Sequence, residues 1–197
     1  MTKKFGLPIL LTLLLLSGGL LYLHYRGNAE QSKSPPDNSG SPTVVTDNKS
    51  EKLVFKNYGQ APEFDSAATW LNSDPQSTAA LKGKVVLVNF WTYSCIQCIH
   101  TIDQLNNWTK QYQTQGLVVI GVHTPEYAFE KVTDNLQTAV NRYHIAYPVV
   151  QDNSYSLWNA YNNQFWPATY LIDREGKIVF IHLGDGGTDL IDNAITN

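Results

Sequence analysis

Cys95 and Cys98 are the only cysteines in this chain, and they lie two residues apart directly after the apolar run Val85 to Phe90. A bridge that acted as a staple would close a long loop, since most of its effect comes from constraining the unfolded chain; a two-residue spacer constrains almost nothing. The pair therefore reads as a reactive dithiol, carried by a buried strand to the first turn of a helix. Only a thiolate attacks a disulfide, and an unperturbed cysteine, with a pKa of about 8.5, is mostly protonated at neutral pH. At a helix N-terminus Cys95 faces unsatisfied backbone N–H groups and the positive end of the helix dipole, both of which favour the anion. Cys98 lies on the same face one turn deeper. Cys95 is thus expected to attack, and Cys98 to resolve the mixed disulfide by closing the Cys95–Cys98 bond.

Other chemistries at this spacing fit less well. A c-type haem site needs histidine directly after the second cysteine, where Ile99 stands. His100 is a tempting third metal ligand, but residues two apart on a helix point to nearly opposite sides, and a fourth ligand is missing. No metal and no organic cofactor is expected. The alternative of a different class is a metallochaperone or adaptor that uses the two cysteines as ligands. Peroxide reduction lacks the extra cysteine of peroxidatic enzymes. His123 reads as a polar group at a strand end.

The elements that must position the dithiol follow from periodicity. Lys84 to Phe90 is β-branched and almost wholly apolar, which marks a strand covered on both faces at the centre of a parallel sheet. From Cys95 to about Tyr112, Cys98, Ile102, Leu105 and Trp108 recur at helical spacing, with Ser94 as N-cap and Gln115-Gly116 as the stop. Leu117 to Val122 supplies the next strand, completing a right-handed βαβ unit. Phe129, Val132, Leu136, Val140 and Tyr143 suggest a second helix, followed by a strand over Tyr147 to Val150 and a short helix near Ser154 to Tyr161. Ala168 to Ile172 and Ile178 to Leu183 flank a turn with Gly176 where positive φ is expected. A closing helix starts near Thr188. Ala61–Phe64 and Ala68–Leu71 read as an N-terminal hairpin. Pro167 precedes a strand that should start opposite the dithiol helix. A cis bond there would remove a donor, aim neighbouring backbone at a bound substrate strand and keep metal from the thiols.

With 197 residues and 43% hydrophobic composition, one domain with a sizeable core is the natural count. A net charge of −3 and a pI near 5.9 give no basic footprint, so nucleic acid is not an expected partner. Lys3 and Lys4 precede an uncharged, leucine-rich stretch from about Phe5 to Tyr25, enough for about 30 Å of hydrocarbon as a helix. Residues 1–26 read as a signal-anchor that leaves the redox domain on the extracytoplasmic side; a cleaved signal peptide, with Gly27-Asn28-Ala29 as the small residues, is the alternative. No cysteine follows the run, which excludes a diacylglycerol-modified lipoprotein. Residues 27–58 are polar and Pro-rich, a tether, and 59–197 form the domain.

Three runs in order resemble the thioredoxin-like superfamily, specifically its membrane-anchored TlpA/ResA group and most closely the DipZ-like branch. They are Gly83 to Trp91 leading into Cys95-Ile96-Gln97-Cys98, Ile120 through Pro125-Glu126 to Glu130, and Tyr155 through Trp166-Pro167-Ala168-Thr169 to Asp173. The resemblance implies an α/β thioredoxin fold, a central mixed β-sheet flanked by helices, with a helix inserted between strands. It also implies a cis proline at Pro167, a substrate groove shaped by Trp91, Trp166, Pro167 and Ala168, and thiol-disulfide exchange on exported proteins, with electrons from a CcdA-like membrane donor and apocytochrome c among the substrates. Two features depart from the pattern. The buried aspartate of many thioredoxins is Asn89 here, which cannot take a proton; Glu126 resembles the ResA-group glutamate that sits near the dithiol, where it would relay the proton of Cys98. Otherwise Glu126 caps the following helix. The electron-importing and C-terminal modules that often accompany the branch are not in this sequence, so the donor is expected to be a separate protein. The spacer Ile96-Gln97 holds no cation to stabilise a thiolate, which favours a reductant.

Overall fold

The apolar run after Gly83 becomes strand β2 (Val85–Trp91), in which every residue but the first is buried. The computed structural model describes residues 55–64 and 67–197. The expected signal-anchor and most of the expected tether lie outside those residues. Among the described residues no helix is long and apolar enough to cross a membrane.

Around β2 the chain builds β1 (Trp70–Leu71), α1 (Ile96–Tyr112), β3 (Leu117–His123), α2 (Thr133–Arg142), β4 (Val149–Gln151), α3 (Ser156–Ala160), β5 (Ala168–Ile172), β6 (Ile178–Leu183) and α4 (Thr188–Thr196). The sheet order is β1-β4-β3-β2-β5-β6, with β2, β3 and β4 parallel and β1, β5 and β6 antiparallel to their neighbours. This is the expected mixed sheet with β2 at its centre. Gly176 has the expected positive φ, +85°, in the β5–β6 turn.

Two differences bear on the site. The stretch expected as an N-terminal hairpin does not pair with itself. Trp70–Leu71 instead extends the far edge by pairing with β4, while the chain before it joins the β5–β6 turn, with Ala61 N–H donating to Gly176 and Tyr58 N–H to Ile178. Pro62, which lacks an N–H, cannot take part in a regular ladder. Phe55 already packs against the core, so the folded region reaches back into the stretch expected as tether. The second helix also begins later than its apolar spacing suggests: residues Ala128–Lys131 form a separate 3₁₀ turn, Val132 is extended, and α2 starts at Thr133.

Alternation along β2 sorts side chains onto two cores. Leu87 and Trp91 join Cys98, Ile102, Leu105 and Trp108 of α1, Leu136 and Val140 of α2 and Ile191 of α4. Val86, Val88 and Phe90 join Leu157 and Tyr161 on the opposite face. Gly121 in β3 faces the dithiol side, where an added Cβ would lie 3.0 Å from both the Trp91 indole nitrogen and the Tyr147 ring. Both rings are 1% exposed and have nowhere to move. Gly121→Ala should therefore lower unfolding stability by about 1–3 kcal/mol, measured by urea titration; a midpoint at or above that of the wild type would show that this core has slack.

Candidate active site

β2 ends at Trp91, and Thr92-Tyr93-Ser94 turn the chain into α1. Cys95 N–H donates to the Thr92 carbonyl at 3.3 Å, and Ile99 N–H to the Cys95 carbonyl at 3.1 Å as the first helical bond. Cys95 itself is the N-cap, with extended backbone and no side-chain cap. Both cysteines are free thiols, Cys95 half-buried and Cys98 buried. The expected cap, Ser94, is engaged elsewhere: its hydroxyl donates to Glu130 Oε1 at 2.6 Å.

Glu130, on the 3₁₀ turn, is 0% exposed. Its Oε1 also accepts from Thr92 Oγ1 at 2.5 Å, with Ser94 N–H at 3.4 Å. Its Oε2 accepts the backbone N–H groups of Glu126 and Tyr127 at 2.6 and 2.9 Å. Burial works to raise this carboxyl's pKa, but the Ser94 and Thr92 hydroxyls and the two amides outweigh it and hold it below the ordinary value, so an anion sits in the wall of the site.

Burial pushes the Cys98 thiol far up from its ordinary pKa, helped by its hydrogen bond with Cys95 and by the Cys95 and Glu130 charges; a backbone hydrogen bond from Thr92 works the other way. Thr92 therefore touches both sides of the site, with its hydroxyl on Glu130 and its backbone on Cys98. His123, 0% exposed, stacks on Tyr93 at 5.4 Å and 12° and meets Trp91 edge-on. Its Nε2 lies 3.4 Å from Thr92 Oγ1. The Thr92 hydroxyl proton goes to Glu130, which leaves the Thr92 oxygen free to accept from the imidazole in its Nε2–H form. Burial, only partly opposed by Glu130, pushes His123 down to about 4, which leaves it neutral at pH 7.

The structure redistributes the residues expected from sequence. Cys95 is the N-cap of α1 with Cys98 buried one turn on, and the Trp166–Pro167 bond is cis. Glu126 is exposed and contributes its backbone N–H; the buried carboxylate beside the dithiol is Glu130, four residues on, because the 3₁₀ turn folds Glu130 inward beneath the Glu126 and Tyr127 amides. Trp91, at 1%, and Ala168, at 0%, are too deeply buried to line a substrate groove, while Trp166 is half-buried and donates its indole N–H to the Thr124 carbonyl. Asn89 spans to Thr169 Oγ1 at 3.0 Å, a neutral buried pair. His100 reaches Asp185 at 3.4 Å on the exposed flank of α1. Among the described residues no group of three or more His, Cys, Asp or Glu side chains is placed to hold a metal ion. Sequence reasoning missed Glu130 and Thr92 and gave Ser94 a capping role instead; the available signal was Thr92 at the end of a buried strand, whose hydroxyl needs an acceptor once buried.

The Redoxin family model matches residues 56–196. DipZ of Mycobacterium tuberculosis is 43% identical over 140 residues, covering 70% of this chain and 20% of DipZ, so the chain spans about a fifth of that relative's length. The thiol-disulfide oxidoreductase YkuV of Bacillus subtilis is 26% identical over 134 residues, 68% of this chain and 90% of YkuV. The crystal structure of a thioredoxin-like superfamily protein superposes with a TM-score of 0.65 at 26% identity, covering 70% of this chain and 94% of that one.

His123 and Glu130 set a pH signature for stability. A buried imidazole held near 4 against an ordinary 6.5 leaves the unfolded chain to take the proton first as pH falls. Stability is then full above about pH 6.5 and drops by about 3 kcal/mol on the way to pH 4. The depressed Glu130 carboxyl acts lower, with a contribution present above its ordinary 4.5 and lost as pH falls through its folded value. Urea unfolding between pH 4.5 and 7 should show the upper slope in wild type and a flatter one in His123→Gln; equal slopes would mean that His123 is not the titrating group. Glu130→Ala, which leaves the hydroxyls and amides without an acceptor, should cost about 3 kcal/mol at pH 7 in the same assay.

Proposed function

This chain belongs to the Redoxin family and has the thioredoxin-like fold, and from that premise we propose that it is a thiol-disulfide oxidoreductase acting through Cys95 and Cys98. The observation that carries the reading is the pairing of a half-buried thiol at a helix N-terminus with a buried, hydrogen-bonded thiol one turn below it. The Cys95 thiolate attacks one sulfur of a substrate disulfide; that S–S bond breaks, and the departing sulfur leaves as a thiolate that takes a proton. In the mixed disulfide Cys98 loses its proton and attacks Cys95 Sγ, releasing the second substrate sulfur. The substrate gains two electrons and two protons, and the chain is left as the Cys95–Cys98 disulfide.

Glu130 positions this exchange. It holds Thr92 and Ser94 in place around the turn, and its charge adds to that of the Cys95 thiolate in holding the Cys98 proton; the Cys95 contribution is removed once the mixed disulfide forms. The proposed direction is reduction. Nothing that acts on Cys98 is a cation, and strong oxidants depend on a stabilised thiolate. The proposed setting is the extracytoplasmic face of a membrane, through the apolar segment near the N-terminus, with exported proteins as substrates and a separate CcdA-like membrane protein returning electrons. The support is the Lys-Lys-flanked apolar run and the likeness to DipZ.

Two measurements on the full chain test this. Equilibrated in dithiothreitol or glutathione buffers and scored by thiol trapping, the Cys95–Cys98 couple should lie near or below about −230 mV; a value near about −120 mV would make it a disulfide donor, and no reversible two-electron couple would remove the exchange reading. With an oxidised protein substrate, Cys98→Ser should accumulate a mixed disulfide through Cys95, and Cys95→Ser should form none.

A further inference from the structure

Phe129 and Val132 recur at the spacing of a buried helical face, yet they are 51% and 48% exposed, as is Tyr127 at 51%. The reason is local. The chain turns as 3₁₀ over Ala128–Lys131 to carry Glu130 inward, and the neighbouring aromatic rings are turned out. The Tyr127 and Phe129 rings stack at 5.6 Å with planes 3° apart. Phe129 lies 6.1 Å from the Tyr93 ring, and Tyr93 in turn stacks on His123. An aromatic series thus runs from the buried wall of the site, past a residue two before the nucleophile, out to two half-exposed rings.

This outward surface is held firmly. The Phe129 carbonyl accepts from Tyr93 Oη at 3.1 Å and from Asn135 Nδ2 at 2.9 Å, and the Glu130 carboxylate holds the Tyr127 amide. A preorganised apolar shelf binds without first having to be ordered. Ile96, adjacent to Cys95 in sequence, is a further exposed apolar side chain, at 63%.

We propose that Tyr127 and Phe129 form a ledge that receives a large apolar side chain close in sequence to the reactive cysteine of the substrate. The inference rests on the disulfide-exchange reading above. In the mixed disulfide the substrate sulfur is bonded to Cys95 Sγ, so substrate residues two or three away from it, at about 3.3 Å per extended residue, sweep the surface around Tyr93. A folded protein buries such side chains next to its cysteines. The substrate class is therefore an extended segment of an incompletely folded, disulfide-bonded protein, with an aromatic or branched aliphatic residue near the cysteine.

The test compares two disulfide-linked peptide dimers, identical except for Phe or Ser two residues from the cysteine. Each is reduced by the pre-reduced full chain in single turnover and followed by thiol trapping. The wild-type chain should favour the Phe peptide about tenfold in second-order rate constant. In Y127S/F129S the Phe-to-Ser ratio should fall to about one, and in the conservative Y127F/F129L it should stay close to wild type, which separates lost contact from lost fold. A wild-type ratio near one with both peptides reduced overturns the ledge and leaves disulfide exchange standing, as does a preference that survives in Y127S/F129S. If neither peptide nor hydroxyethyl disulfide is reduced, exchange itself fails and the ledge falls with it. A chain that sediments as a dimer, and as a monomer once Y127S/F129S is introduced, overturns the proposal in favour of a second copy as the occupant.

Discussion

A carboxylate with no access to water needs donors, because an uncompensated buried charge costs several kcal/mol. Glu130 finds them on two separate turns: the hydroxyls of Thr92 and Ser94 before the dithiol helix, and the amides of Glu126 and Tyr127 on its own turn. Satisfying one anion therefore locks the dithiol turn to the segment after β3. The same bonds remove Ser94 from capping α1, so the helix begins uncapped at Cys95 with its N-terminal amides available to the sulfur. They also accompany the turn that leaves Tyr127 and Phe129 facing outward. Capping and surface aromaticity are consequences of one satisfied charge.

The sheet supplies the rigid half of the site. Parallel pairing places Trp91 beside His123 and Asn89 beside Gly121, while antiparallel pairing places Asn89 beside Thr169 and Phe90 beside Ala168. Every second residue of β2 and β3 faces α1, so one strand face delivers Asn89, Trp91, Gly121 and His123 beneath the dithiol. Gly121 leaves the room that the Trp91 and Tyr147 rings fill. The Asn89–Thr169 pair satisfies itself across strands and brings no charge, leaving Glu130 as the buried carboxylate that acts on Cys98.

The fold and the dithiol were legible in sequence because they rest on local signals. A seven-residue apolar strand, helical spacing after Cys95, and a proline before the next strand each have a short-range physical cause. The polar partners were not legible for the opposite reason. Glu126 and Glu130 are both glutamates in the same run, and which one turns inward depends on a 3₁₀ turn whose driving force lies in hydroxyls more than thirty residues earlier. Phe129 and Val132 fitted a helical face in period alone, and the period was broken by the same turn. Trp91 and Ala168 belonged to the site in sequence, but strand register set them in the core instead of on the surface.

Charge bears on the direction of electron flow. A dithiol becomes a strong oxidant when its reduced form is stabilised, usually by a cation or helix dipole holding the thiolate. Here the imidazole closest to the dithiol turn is neutral at pH 7, since burial holds it near 4. The charges that reach Cys98 come from Cys95 and Glu130, both acidic groups, and burial adds to their effect. Only the helix N-terminus and the Thr92 backbone favour an anion in this site. No cation is among the groups that act on Cys98, so the thiolate stabilisation on which strong oxidants depend is not supplied there. Burial and the Glu130 charge keep the Cys98 thiol protonated without an acidic residue at the sheet position occupied by Asn89.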